Sequence, residues 1–233
     1  MEGHGRESER RHSPDPLLTR KLVPFFVSCT FYFFLWMPTE KPSWNSALGK
    51  CLPILCLALF VYNTAPPGPY GQFIWVGLLC SALGDIFRTW PNQFFFSMAA
   101  FALAHLFYLK ALGWIPVRQV LLEFVVVIFL PYFGLLEPHL PSSLRLPVLG
   151  YVTILGLMLW RALARGRTAA LGGLFFSISD AILAWNTFIQ PLPSSHLINM
   201  VTYYAAQVLL ALSTVDRQTP ERDWPPGQVL AYQ

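Results

Sequence analysis

Apolar runs about the length of a transmembrane helix, separated by short breaks rich in proline, glycine and charge, organise this chain. Reading between the breaks gives eight segments, at 22–37, 44–62, 71–90, 93–112, 117–136, 144–163, 169–189 and 195–215. The breaks fall at 38–42, 65–69, Pro91, Pro116, 138–141, Gly166 and 191–193, where residues that end helices and start turns concentrate. An α-helix needs about 20 apolar residues to cross the hydrocarbon core of a bilayer. The pattern predicts an all-α polytopic membrane bundle of eight helices. The first run is short, and the count falls to seven if it lies in the interface.

Composition strengthens this reading. The chain has 233 residues, of which 55% are hydrophobic and only 12% charged. A soluble domain carries about 25% charge because its surface must face water. Here lipid must face most of the surface. The net charge of +4 is too diffuse for a nucleic-acid partner, and its placement has a simpler meaning. Twelve of the 16 basic residues fall on one side of the eight-span topology: Arg6, Arg10, Arg11, Arg20, Lys21, Lys110, Arg118, Arg161, Arg165, Arg167, Arg217 and Arg222. Four (Lys41, Lys50, Arg88 and Arg145) fall on the other. Basic loops stay cytosolic, so both termini are expected in the cytosol, which an even number of spans permits.

The expected organisation is a polar tail over 1–21, one transmembrane catalytic unit over 22–215 and a second polar tail over 216–233. The tails have the composition of disordered segments, and the first reads as no secretory signal. Cys29, Cys51, Cys56 and Cys80 all lie in apolar runs without a CxxC pair. They read as small apolar residues rather than a disulfide framework.

The two halves resemble each other at a fixed offset of 95. Asp85 and Trp90 correspond to Asp180 and Trp185, Tyr108 to Tyr203, and Lys50 to Arg145. Leu52-Pro53 and Leu146-Pro147 follow the two basic residues. Four helices per half implies parallel repeats related by an axis along the membrane normal. Asp85 and Asp180 then become symmetry mates.

An acidic side chain in mid-helix costs about 2.5–3.5 kcal/mol to insert, and function is the default reading of such a residue. Asp180 sits near the middle of the seventh run and Asp85 in the outer third of the third. Ser81 and Ser177 each lie about one turn before a carboxyl, on its helix face. The structural alternative for Asp85 is an ion pair with Arg88, one turn on. The fourth run supplies His105 and Tyr108, the seventh Asn186, and the eighth Tyr203, Tyr204 and Gln207. Each is expected to bridge helices or to orient the acids. Lys50 either snorkels to the surface or reaches inward to a phosphate. Glu123 is expected at the interface. Only His105 among five histidines lies inside a run, and no HxxxH or HExxH pair exists. A zinc site with about three protein ligands is therefore poorly supported. No GxSxG elbow, Gly-rich phosphate loop or GxGxxG occurs either.

The succession Lys50-Cys-Leu-Pro53, Ser81-Ala-Leu-Gly-Asp85, Ala99 to Tyr108 (AAFALAHLFY), Ser179-Asp180 and Tyr203-Tyr204-Ala-Ala-Gln207 resembles the YhhN family of eight-helix membrane proteins, whose animal members include lysoplasmalogenases. The resemblance runs from about Leu22 to Leu212, without departure at the acidic positions; the charged tail before it is longer than expected. It implies hydrolysis of the vinyl-ether bond of a lysoplasmalogen to a fatty aldehyde and glycerophosphoethanolamine or glycerophosphocholine. It also implies an endoplasmic reticulum membrane, no metal and no cofactor.

Vinyl ethers break by protonation at carbon, leaving an oxocarbenium ion that water attacks. Two carboxyls suffice for the related chemistry of glycosides, and close carboxyls tend to share a proton. Asp85 and Asp180 are therefore expected as a coupled pair in one cavity, its two roles undivided. Lys50 is the expected head-group contact, and a homodimer is the expected assembly, although no GxxxG motif marks an interface. The main rival is a proton-coupled lipid or small-solute transporter, since carriers also show repeats and midplane acids. A scaffolding protein and a lipid ester or amide hydrolase are the remaining alternatives.

Overall fold

The computed structural model describes residues 16–37 and 41–216. Most of both tails, at 1–15 and 217–233, lies outside the described residues. Eight long helices account for nearly all of it. Helix α1 (Pro16–Phe31) continues through a π-helical turn, Tyr32–Trp36. Then follow α2 (Trp44–Thr64), α3 (Pro69–Arg88), α4 (Phe94–Leu112), α5 (Gln119–Leu136), α6 (Ser142–Arg165), α7 (Arg167–Phe188) and α8 (Ser195–Leu212).

The helix ends follow from local chemistry. Ser43 caps α2 by accepting from the Ser46 amide at 3.1 Å, satisfying one of the amides that every helix start leaves open. Pro69 opens α3, where no amide hydrogen is needed. Helix α4 stops at Gly113, whose φ of 74° favours glycine. The loop after it is tied down by Arg161. That guanidinium, almost fully buried, donates to the carbonyls of Gly113 at 2.5 Å and Pro116 at 2.7 Å.

The first helix differs from expectation. It begins at Pro16 rather than at 22, so the last six residues assigned to the tail are helical. The stretch Leu17–Leu35 is long and apolar enough to cross a bilayer, as are α2 to α7 with their short flanking turns. Helix α8 falls outside that group because it carries Asn199, Tyr203, Tyr204 and Gln207, all buried. Those polar groups face protein, so α8 belongs to the bundle that the eight-run pattern predicts. The chain is a multi-pass membrane protein.

The packing order has a two-fold pattern. Contacts α1·α2, α2·α3, α3·α4 and α2·α8 recur as α5·α6, α6·α7, α7·α8 and α6·α4, each by advancing four helices. Two glycines at the same offset of 95 serve matching contacts. A Cβ at Gly77 would collide with the Tyr108 ring on α4, and one at Gly172 would come within 3.0 Å of Leu210 on α8. The first contact requires glycine, and the second leaves a side chain room only if Leu210 shifts. Helix α5 forms the outer wall. Val125 and Leu136 are its only buried residues, while Val120 and Val127 are 77% and 69% exposed. Such a surface suits lipid, not water. Glu123, at its first turn and a half, is exposed as expected.

Candidate active site

Asp180 sits in the middle of α7, whose neighbours α4 and α6 each send it a polar side chain. Tyr151 of α6 donates its hydroxyl to Asp180 Oδ2 at 2.6 Å. His105 of α4, fully buried, brings Nε2 to 3.4 Å from the same oxygen and 3.1 Å from the Tyr151 hydroxyl. The tyrosine proton points at the carboxylate, so Nε2 must supply the hydrogen for the His105–Tyr151 contact. That tautomer follows from the network. Both contacts converge on Oδ2. Among the described residues, no donor bonds Oδ1, and the side chain keeps 15% of its surface open.

The opening leads to a cavity of about 830 Å³ walled by α4, α5, α6 and α7. Phe124, Leu163 and Leu174 line one end, and Phe94, Phe188 and Arg88 the other. Almost all the lining is apolar. Asp180 is the single carboxylate among the lining residues and Arg88 the single cation.

Asp85 has the equivalent place on α3 but another environment. It is 1% exposed and accepts from the Tyr203 hydroxyl of α8 at 2.7 Å. Arg88 and Lys50 both act on it through space. Behind it lies a second polar chain, in which Tyr108 donates to Gln207 Oε1 at 2.8 Å and meets Ser81 Oγ at 3.2 Å. Phe176, fully buried, stands between the two clusters. Its ring packs edge-on at 4.5 Å from His105 and 5.6 Å from Tyr203, centroid to centroid. The two expected acids differ in their surroundings. The carboxyls share no hydrogen bond, each is held by its own tyrosine, and Asp85 does not line the cavity. Phe176 packs between the partner of one acid and the partner of the other.

The other expected residues divide in the same way. His105 joins Asp180, while Tyr203 joins Asp85. Neither serine bonds a carboxyl: Ser81 turns to Tyr108, and Ser177, at the cavity wall, donates to the Gly173 carbonyl at 2.9 Å. A serine one turn away satisfies its own helix more easily than a side chain beside it. Asn186 is not at the site. It accepts from the Leu192 amide and the Ser195 hydroxyl, and so shapes the α7–α8 connection. Tyr204 donates to the Lys50 carbonyl at 2.9 Å, and Lys50 is only 8% exposed, buried in the bundle rather than extended to the surface. Arg88 forms no ion pair with Asp85 within 4 Å; it donates to Asn199 Oδ1 at 2.7 Å.

Sequence reasoning missed Tyr151 and Asn199, and gave Ser179 no role beyond its place in the Ser179-Asp180 motif. Tyr151 was findable, as the polar aromatic nearest the middle of the sixth run. Asn199 and Ser179 exchange bonds of 2.7, 2.8 and 3.0 Å across α7 and α8, a pairing that no spacing along the chain announces.

The YhhN family profile matches residues 45–214. Over 208 residues, the chain is 48% identical to lysoplasmalogenase TMEM86B of Homo sapiens, covering 89% of this chain and 92% of the relative. The corresponding protein of Sus scrofa is 50% identical over 192 residues, 82% and 85% of the two chains. Lysoplasmalogenase TMEM86A of Homo sapiens is 40% identical over 217 residues, 86% and 90% of the two. No solved structure matches.

Proposed function

The chain belongs to the YhhN family, and on that premise we propose that it is a lysoplasmalogenase in which Asp180 protonates the vinyl ether of a lysophospholipid held in the cavity. The activity follows from relatives that carry that name over most of their length, and it displaces the transporter alternative. It makes the protein a membrane-integral hydrolase of the vinyl-ether bond. The residue roles rest on one observation. Asp180 is the carboxylate that opens on an apolar cavity whose volume falls within the range of about 300–1,000 Å³ typical of ligand sites.

The alkenyl chain lies along the apolar walls, with its double bond beside Oδ1. Protonated Asp180 gives its hydrogen to the vinyl carbon remote from oxygen, and the π pair becomes the new C–H bond. The carbon bonded to oxygen is left as an oxocarbenium ion, and the Asp180 carboxylate now sits beside that positive charge. Water adds to the cationic carbon and returns a proton to the carboxylate. The hemiacetal then breaks its bond to the glycerol oxygen, which takes up the hydroxyl proton. Fatty aldehyde and glycerophospho-base leave. Acid catalysis of this kind contributes about 10²–10⁴ in rate, and the oxocarbenium character parallels glycoside hydrolysis.

Tyr151 and His105 hold Oδ2, which leaves Oδ1 to swing toward substrate. Asp85, buried and not among the residues that line the cavity, is a positioning residue in this reading. With Tyr203 it fixes α3 against α8 and balances the positive charge of Arg88 and Lys50. The remaining polar residues, Ser81, Tyr108 and Gln207, brace that contact. In the same reading the protein lies in the endoplasmic reticulum membrane, as the family resemblance implies, and the twelve-to-four bias of basic residues supports cytosolic termini. The homodimer belongs to it too, and the mass of the detergent-solubilised particle tests it.

Purified protein in detergent should release aldehyde from a lysoplasmalogen and none from the corresponding alkyl lysophospholipid, whose ether lacks the double bond. No aldehyde from the vinyl ether would remove the activity and bring the carrier reading back.

A further inference from the structure

We propose that Arg88 is the phosphate anchor of the substrate cavity and sets the preference for a phospholipid over an uncharged vinyl ether. The inference rests on the lysoplasmalogenase reading and names the group that recognises the head of the same substrate.

Arg88 ends α3 and lines the cavity at the end formed by Phe94 and Phe188. The sequence offers it a partner one turn back, at Asp85, but that carboxylate is taken by Tyr203. The guanidinium instead donates to the neutral oxygen of Asn199 at 2.7 Å. Asn199, 2% exposed, is itself locked by three bonds with Ser179. The arrangement aims the guanidinium without neutralising it at contact. Among the described residues, no carboxylate lies within 4 Å of it. Asp85 acts on it only through space, so an anion at contact would pair the charge directly. Arginine carries five donors in a planar fork that suits a phosphate's paired oxygens; one bond to Asn199 leaves the rest of the fork for a ligand.

Position along the substrate agrees. Asn199 connects Arg88 to Ser179, the chain neighbour of Asp180. In a lysoplasmalogen only the glycerol separates the phosphate from the vinyl ether. A phosphate on Arg88 therefore lays the double bond toward Asp180, and the alkenyl chain runs on toward Phe124 and Leu163. Lys50, the cation expected for this role from sequence, does not line the cavity.

The test compares purified wild type with Arg88→Gln on two probes, a lysoplasmalogen and the matching 1-alkenylglycerol without phosphate. Glutamine keeps a donor for Asn199, so the fold at α3 and α8 is preserved; thermal stability in detergent checks this, and Arg88→Lys serves if glutamine fails. The expected result is a fall of about tenfold to a hundredfold in the ratio of kcat/KM between the two probes, the size of a lost charge-assisted bond. The fall should appear in KM for the phospholipid, with kcat little moved. An unchanged ratio, whether both probes lose equally or neither loses, overturns the proposal. Failure of wild type to release aldehyde from either probe would defeat the activity itself, which is a different outcome.

Discussion

The two aspartates occupy equivalent places in the two halves of the chain, 95 residues apart, yet one opens on a cavity and the other is sealed. Around Asp180 the neighbouring helices supply Tyr151 and His105, and α5 stands off far enough to leave an apolar space. Around Asp85 the corresponding helices supply Tyr203 and the bulk of α1, α2 and α8, with Phe25, Tyr32 and Tyr204 packed edge to edge. The outer helix decides the difference. Helix α1 closes on its half through aromatic side chains, whereas α5 lies almost wholly exposed. A repeat can therefore supply two acids of the same type, and packing then opens one of them on a cavity.

Replacing the cavity-facing acid should have the largest effect. Asp180→Asn keeps the size and the bond from Tyr151 but has no proton to give, and aldehyde release should fall about 10³-fold or more. Retained turnover would break the comparison at once. Tyr151→Phe removes the 2.6 Å bond to Oδ2 and should cost about 10- to 100-fold in kcat, since a bond to a charged group is worth about 1.5–3 kcal/mol. Asp85→Asn sharpens the contrast: an amide still accepts from Tyr203, and the expected loss is about tenfold, of the order of one charge interaction lost through space. A loss equal to that of Asp180→Asn would restore the shared pair. Smallest in activity is Gly77→Ala, where a methyl meets the Tyr108 ring. Overpacking of that kind costs about 1–3 kcal/mol of stability, read as a lowered melting temperature in detergent with kcat nearly unchanged.

Much of this was legible in the chain. The proline and glycine breaks put eight helices within a few residues of their observed ends, because a membrane span is fixed by length and polarity. The first helix was the exception. Leu17, Leu18 and their neighbours alternate with Arg20 and Lys21, and the charges masked a helix that starts six residues earlier. The repeat was visible in Asp85, Asp180 and Tyr108, Tyr203, and the helix contacts now carry it further through Gly77 and Gly172. The site was harder to read. Asp180 and His105 were singled out because burying them is costly, and they meet. That same criterion ranked Asp85 beside Asp180, because insertion cost tells that an acid is inside and not what it faces. Tyr151 and Asn199 are cheap to bury and gave no such signal. The placing of Phe176 between His105 and Tyr203 depends on three-dimensional order alone.

The central claim is that a fixed protein acid delivers a hydrogen to one vinyl carbon. Hydrolysis in D2O, with the aldehyde reduced at once to its alcohol so that no label washes out, measures this most directly. One deuterium on the carbon next to the former carbonyl, in a single configuration, is the predicted product. A product with no deuterium there, or with the label divided equally between the two configurations, would contradict it.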